Sequence, residues 1–148
     1  MTSQTLSNST ETILEFADLE EETVRRYFET MNGERFRDTA ALFCEDGVLE
    51  APLEETAVGP EAIATYLQAE AKGMTLQPKD VRIEPLEGDR LLVQVLGRVK
   101  TSLFSVNVGW QFVLNADRKI AVTTVRLLAS PQEMLNLRPF TKYHQNRD

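Results

Sequence analysis

The sequence predicts an α+β domain: three N-terminal helices packed on the concave face of a curved, mostly antiparallel sheet, together a cone with a hollow inside. Three observations predict it. Apolar residues recur at helical spacing up to about Lys72 and at alternate positions after Met74. Turn-forming clusters punctuate the chain at Asn32-Gly33, Asp46-Gly47, Gly73, Glu87-Gly88-Asp89 and Asn115-Ala116-Asp117. A length of 148 residues with 42% hydrophobic side chains suffices for one buried core and falls short of two.

Residues 1–18 are Ser/Thr-rich and read as a flexible tail, with at most a helical turn near Ile13 to Phe16. From Leu19 to Met31, the positions Val24, Tyr27, Phe28 and Met31 follow the i, i+3, i+4, i+7 stripe of an amphipathic helix, which Asn32-Gly33 ends. A second helix turns Phe36, Ala40 and Phe43 inward and runs to Asp46-Gly47, with Cys44 a buried small hydrophobe at its apolar end. Val48 to Ala51 is a short strand, Leu53 to Gly59 a loop, and Pro60 opens a third helix that closes at Gly73. Four strands follow, at Met74 to Pro85, Leu91 to Lys100, Thr101 to Leu114 and Ile120 to Leu128. Ser130-Pro131 starts a terminal helical segment, and residues 139–148 form a mobile tail, leaving 19–138 as the globular domain.

A net charge of -7 without a basic stripe argues against a nucleic-acid partner. Cys44 is the single cysteine, so no internal disulfide can form, and the polar N-terminus has neither the basic nor the apolar region of a signal peptide. No apolar run approaches membrane-spanning length, and the expected compartment is the cytoplasm.

The strand from Thr101 carries the chemistry. Phe104, Val106, Val108, Trp110, Phe112 and Leu114 alternate with Ser105, Asn107, Gly109 and Gln111, so one face is apolar and the only tryptophan sits in its middle. An indole N–H donates and cannot accept, and a buried one needs an acceptor. Tyr27, on the inner stripe of the first helix, is a second amphipathic donor. Spacing leaves two readings open: core aromatics bonded to backbone, or two donors converging on one ligand oxygen such as a ketone.

Catalysis has less support. The inward positions Leu91, Val93, Val95 and Val99 and those from Phe104 to Leu114 hold no Asp, Glu, His or Lys, and His144 lies in the tail. Glu50, Glu54, Glu55 and Glu70 sit in polar contexts where solvation is the rule. No phosphate loop, metal-ligand spacing or nucleophile elbow is present. The chain is therefore expected not to be an enzyme, with a small-molecule isomerase or hydrolase, or a dimerisation module using the outer sheet face, as the alternatives.

The segments TVRRYFETMN (Thr23 to Asn32), ALFCEDGVLEAPLE (Ala41 to Glu54), VGPEAIATYLQAE (Val58 to Glu70), GRVKT (Gly97 to Thr101), WQFVLN (Trp110 to Asn115) and LLASPQEMLNLR (Leu127 to Arg138) resemble the C-terminal domain of the cyanobacterial orange carotenoid protein. That domain is a nuclear transport factor 2-like, or SnoaL-like, cone. The helical carotenoid domain of the full-length photoreceptor is absent from these residues, and the link from Thr101 to Trp110 is short, so the resemblance is to standalone homologs of the C-terminal domain.

The resemblance implies a ketocarotenoid of canthaxanthin or echinenone type, its keto oxygen held by Tyr27 and Trp110. The tunnel would be lined by Met31, Leu76, Val93, Val95, Leu103, Phe104, Val106, Val108 and Phe112. It also implies a homodimer sharing one long pigment, transient membrane contact for pigment uptake, pigment exchange with a helical carotenoid protein, and quenching of singlet oxygen. Glu70 matches a glutamate that pairs with an Arg of the helical partner. Two positions depart from the family: Leu103 replaces a tryptophan, removing an aromatic wall, and Arg126 replaces an acidic residue, altering the partner contact.

Overall fold

The computed structural model describes residues 19–128. The tails at 1–18 and 139–148, the helical turn near Ile13, the segment from Ser130 and His144 lie outside the described residues.

Helix α1 is Glu22–Asn32, α2 is Phe36–Ala40 and α3 is Pro60–Glu70. Glu21 caps α1 by accepting the Val24 amide at 2.9 Å, and the apolar stripe buries Val24, Tyr27, Phe28 and Met31. Thr30 belongs to the same buried face, where its hydroxyl meets that of Thr39 at 2.6 Å and ties α1 to α2. In α3, Pro60 occupies the first turn and Ile63, Ala64 and Leu67 are buried.

The strands are β1 (Phe43–Ala51), β2 (Glu55–Val58), β3 (Thr75–Leu86), β4 (Arg90–Lys100), β5 (Ser105–Leu114) and β6 (Ile120–Leu128). They form one sheet in the order β2-β1-β6-β5-β4-β3. Only the β1–β6 pair is parallel, so the expected α+β cone with a mostly antiparallel sheet is the observed fold. The prolines Pro78 and Pro85 fall in β3, an edge strand, where a missing amide donor does no harm to the ladder.

Curvature comes from irregularities in pairing. Between Pro78 and Asp80 the β3–β4 register slips, Pro78 pairing with Gly97 and Asp80 with Leu96, so Lys79 is extra and the sheet bends. Gly97 permits the bend: a Cβ there would collide with the Gln77 carbonyl and come within 2.9 Å of the Pro78 Cα. Asn32, at the end of α1, then fastens the helix to this edge. Its amide donates to the Leu76 carbonyl at 3.0 Å while its oxygen accepts the Leu76 amide at 2.8 Å, a side chain imitating a strand partner.

Three expectations need correction. The second helix stops at Ala40 because β6 captures the chain that follows: Ile120 donates to the Leu42 carbonyl at 2.9 Å and Phe43 pairs with Ile120. Gly47 lets the two strands approach, since a Cβ would lie 2.8 Å from the Ile120 carbonyl oxygen. Cys44 therefore sits half-buried on a strand, 3.2 Å from Asp46 Oδ1, and is not a core residue. The loop at Leu53 to Gly59 contains the edge strand β2, whose single buried residue, Ala57, gives no visible alternation. Finally, Thr101 to Phe104 is a hairpin loop and not strand. The Thr101 hydroxyl oxygen accepts the amides of Leu103 and Phe104 at 3.1 Å each, and β5 begins at Ser105.

Gly97→Ala is expected to destabilise the fold by about 1–3 kcal/mol, the usual cost of overpacking where backbone cannot retreat. The check is the urea midpoint, which should fall relative to wild type with an unchanged slope.

Candidate functional site

Tyr27 and Trp110 reach one hollow from opposite layers. The α1 stripe places the Tyr27 ring edge-on to Phe28 (centroids 5.3 Å, 81°) and to Phe112 (4.9 Å, 79°), and the residue is 2% exposed. Register puts Trp110 between Val95 of β4 and Val125 of β6, 1% exposed, with Phe28 standing on it edge-to-face at 5.0 Å. Phe28 and Phe112 thus fix both rings while leaving their polar ends free of the packing. Neither the Tyr27 hydroxyl nor the Trp110 indole hydrogen-bonds to another described residue.

Both residues line a cavity of about 250 Å³. Its walls are Met31 from α1, Leu49 and Ala51 from β1, Leu67 from α3, Leu76 and Val99 from β3 and β4, and Val106, Val108 and Val125 from β5 and β6, with Phe104 and Leu127 at the solvent side. The polar side chains in the lining are Tyr27, Tyr66, Trp110 and Glu70. Burial, followed by the nearby Tyr66, pushes the Tyr27 phenol well above its ordinary range, so it stays a protonated donor at any physiological pH. The Tyr66 phenol is raised as well, by partial burial first and then by the Glu70 and Glu55 carboxylates.

Of the residues expected at the site, Met31, Leu76, Phe104, Val106 and Val108 join Tyr27 and Trp110 in the lining, and Glu70 sits among them, exposed. Others stand elsewhere. Leu103 is 87% exposed, because the hairpin loop carries it away from the hollow. Phe112, Val93 and Val95 are fully buried in the core and do not line the cavity. Arg126 lies between Val125 and Leu127 in β6 and faces a second cavity of about 540 Å³, shared with Glu50, Glu54, Thr56 and Thr124. There Glu50 accepts the Thr124 hydroxyl at 2.9 Å. No carboxylate is fully buried among the described residues.

Tyr66 was legible and is not among the residues the sequence singled out. Ile63, Tyr66 and Leu67 keep the i, i+3, i+4 spacing of the α3 inner face, and an aromatic with a polar tip on that face is a lining candidate on the same grounds as Tyr27.

A model of the SnoaL-like domain matches residues 24–127. The chain belongs to the SnoaL-like family. Within it, the orange carotenoid-binding protein of Limnospira maxima is 36% identical over 119 residues, which is 78% of this chain and 38% of that protein. That of Synechocystis is 36% identical over 118 residues, 77% of this chain and 37% of the relative. The solved structure of the Anabaena (Nostoc) orange carotenoid protein binding canthaxanthin superposes with a TM-score of 0.77 at 32% identity, covering 86% of this chain and 43% of that one. This SnoaL-like chain therefore spans less than half the length of these relatives, and it is homologous to their C-terminal domain, as the quoted segments led us to expect.

The raised Tyr27 phenol has a consequence for stability. Folding holds its proton more tightly than the unfolded chain, whose phenol titrates near 10, so the stabilisation is complete below that pH and is lost as pH rises beyond it. Urea midpoints of wild type should fall more steeply between about pH 9 and 11 than those of Tyr27→Phe, in which this phenol is gone and every lysine remains. Parallel slopes would contradict the assignment.

Proposed function

We propose that this chain binds the ring end of a ketocarotenoid of canthaxanthin or echinenone type, with Tyr27 and Trp110 both donating to its keto oxygen, and that it serves as a pigment carrier and not as an enzyme. The observation that carries this reading is the pair of buried donors, lacking any described protein acceptor, that face one otherwise apolar hollow. A carbonyl has two lone pairs and fits two donors. Canthaxanthin is the pigment of the similar Anabaena structure.

Affinity would come from burying polyene and ring carbon, at roughly 25 cal/mol per Å² before ordering costs. Selectivity would come from the donors, since leaving each unpaired in a dry site costs on the order of 1–3 kcal/mol. At about 250 Å³ the cavity lies below the usual range for drug-sized ligands, roughly 300–1,000 Å³. It suits one ring, so the polyene extends past Phe104 and Leu127, which are 56% and 52% exposed. A second copy covering that surface would shelter the other ring, which is the homodimer of the proposal.

The same surface would meet a membrane during uptake, or a helical carotenoid protein, with Glu70 at the mouth available to an Arg of that partner. A sheltered polyene would quench singlet oxygen. The proposed unit is residues 19–138, acting in the cytoplasm; no described helix is long and apolar enough to cross a membrane. The enzyme alternative rests on Glu70, the one carboxylate in the lining. Its exposure denies it the apolar setting by which carboxylate bases are tuned.

Protein expressed in cells that make ketocarotenoids should purify coloured, and Tyr27→Phe and Trp110→Phe should each blue-shift the absorption band and weaken binding by about 10-fold or more. Colourless wild-type protein, or spectra unchanged in both variants, would reject the proposal.

A further inference from the structure

The polar groups of the cavity outnumber what a ketone can use. Tyr27 and Trp110 together occupy both lone pairs of a carbonyl oxygen. Tyr66 remains. It lines the same cavity from the inner face of α3, half-buried, and its hydroxyl forms no hydrogen bond with another described residue. One helical turn further on, Glu70 lines the cavity with a carboxylate that can only accept. Around them the walls are hydrocarbon and thioether. A ring bearing only a ketone would set carbon against the Tyr66 hydroxyl, leaving a half-buried donor and acceptor unmatched.

We infer that the site distinguishes ring ends carrying a hydroxyl beside the ketone from ring ends carrying the ketone alone, and that Tyr66 is the residue that reads the second oxygen. The inference rests on the ketocarotenoid reading above and narrows its ligand class to α-hydroxyketone rings. A hydroxyl on the neighbouring ring carbon presents an oxygen beside the one held by Tyr27 and Trp110. It can accept from Tyr66 and donate in return, to Tyr66 or towards Glu70. The ionisation behaviour agrees with hydroxyls in proximity, because a negative charge on Tyr66 raises the Tyr27 phenol. Tyr66 adds no donor to the carbonyl itself, so its removal should leave the colour of a simple ketocarotenoid unchanged, unlike removal of Tyr27.

The test compares three pigments on wild type and Tyr66→Phe by titration: canthaxanthin, with ketones and no hydroxyls; astaxanthin, with a hydroxyl beside each ketone; and zeaxanthin, with hydroxyls and no ketones. Wild type should bind astaxanthin about five-fold more tightly than canthaxanthin, the effect of roughly one net hydrogen bond, and zeaxanthin most weakly. Tyr66→Phe should bring astaxanthin level with canthaxanthin, weakening the first by the lost hydrogen bond and tightening the second by removal of the unmatched hydroxyl, while the absorption maximum of bound canthaxanthin stays at its wild-type position, which also shows the variant folded. Equal affinity of wild type for the two ketocarotenoids, or a preference that survives in Tyr66→Phe, overturns the inference and leaves the ketone reading in place. Zeaxanthin binding as tightly as canthaxanthin overturns both.

Discussion

Everything particular about this molecule depends on one constraint: two buried hydrogen-bond donors, from layers distant in sequence, have no described protein group to bond. Tyr27 and Trp110 are among the largest fully enclosed side chains, and proteins generally satisfy the polar atoms of such residues. Here the two residues instead line an open cavity. Phe28 and Phe112 contact the rings on their carbon edges and faces and offer no acceptor, so the aromatic cluster holds both donors in position without using their bonding capacity. An arrangement that sets aside this much bonding makes sense where an outside oxygen completes it.

The hollow that contains those donors follows from how the sheet is bent. A flat sheet would let α1 settle fully onto β4 and β5 and fill the interior with side chains. The slipped register at Lys79 and the absence of a Cβ at Gly97 instead curl β3 towards the helix end, where the Asn32 amide clasps Leu76. The cavity opens on the side of this clasp, with Leu76 and Met31 on its wall, while the opposite half of the cone is closed by Val93, Phe112, Leu114 and Ile120. Curvature and cavity are therefore one feature, set by a few backbone irregularities rather than by the greasy residues that occupy most of the core.

The sequence disclosed the parts of this arrangement governed by periodicity and concealed those governed by backbone pairing. The α1 stripe, the alternation through Val108, Trp110 and Phe112, and the turn at Glu87-Gly88-Asp89 announced themselves, and they put Tyr27 and Trp110 on the inner faces of helix and sheet while leaving open whether the two converge. What escaped has physical reasons. Phe43 to Gly47 looks helical locally, and only the distant β6 makes it a strand. The turn into β2 places Leu53 and Glu54 at positive φ, a conformation usually signalled by glycine or asparagine, so nothing in the residue types marks it. Leu103 and Phe104 continue an apolar pattern, yet the Thr101 hydroxyl folds them into a loop, a local bond that overrides alternation.

That last departure bears on the mouth of the site. Because the loop exposes Phe104, and Leu127 is exposed beside it in the lining, the mouth of the hollow has an apolar margin next to the Glu70 carboxylate. Exposed apolar positions of this kind lower the stability of an isolated chain and persist where another surface covers them. The interior donors call for an oxygen, the small volume admits only a ring, and the apolar rim calls for a hydrophobic continuation of whatever enters. The proposed ligand, an elongated molecule with an oxygenated ring at its end, would meet all three demands.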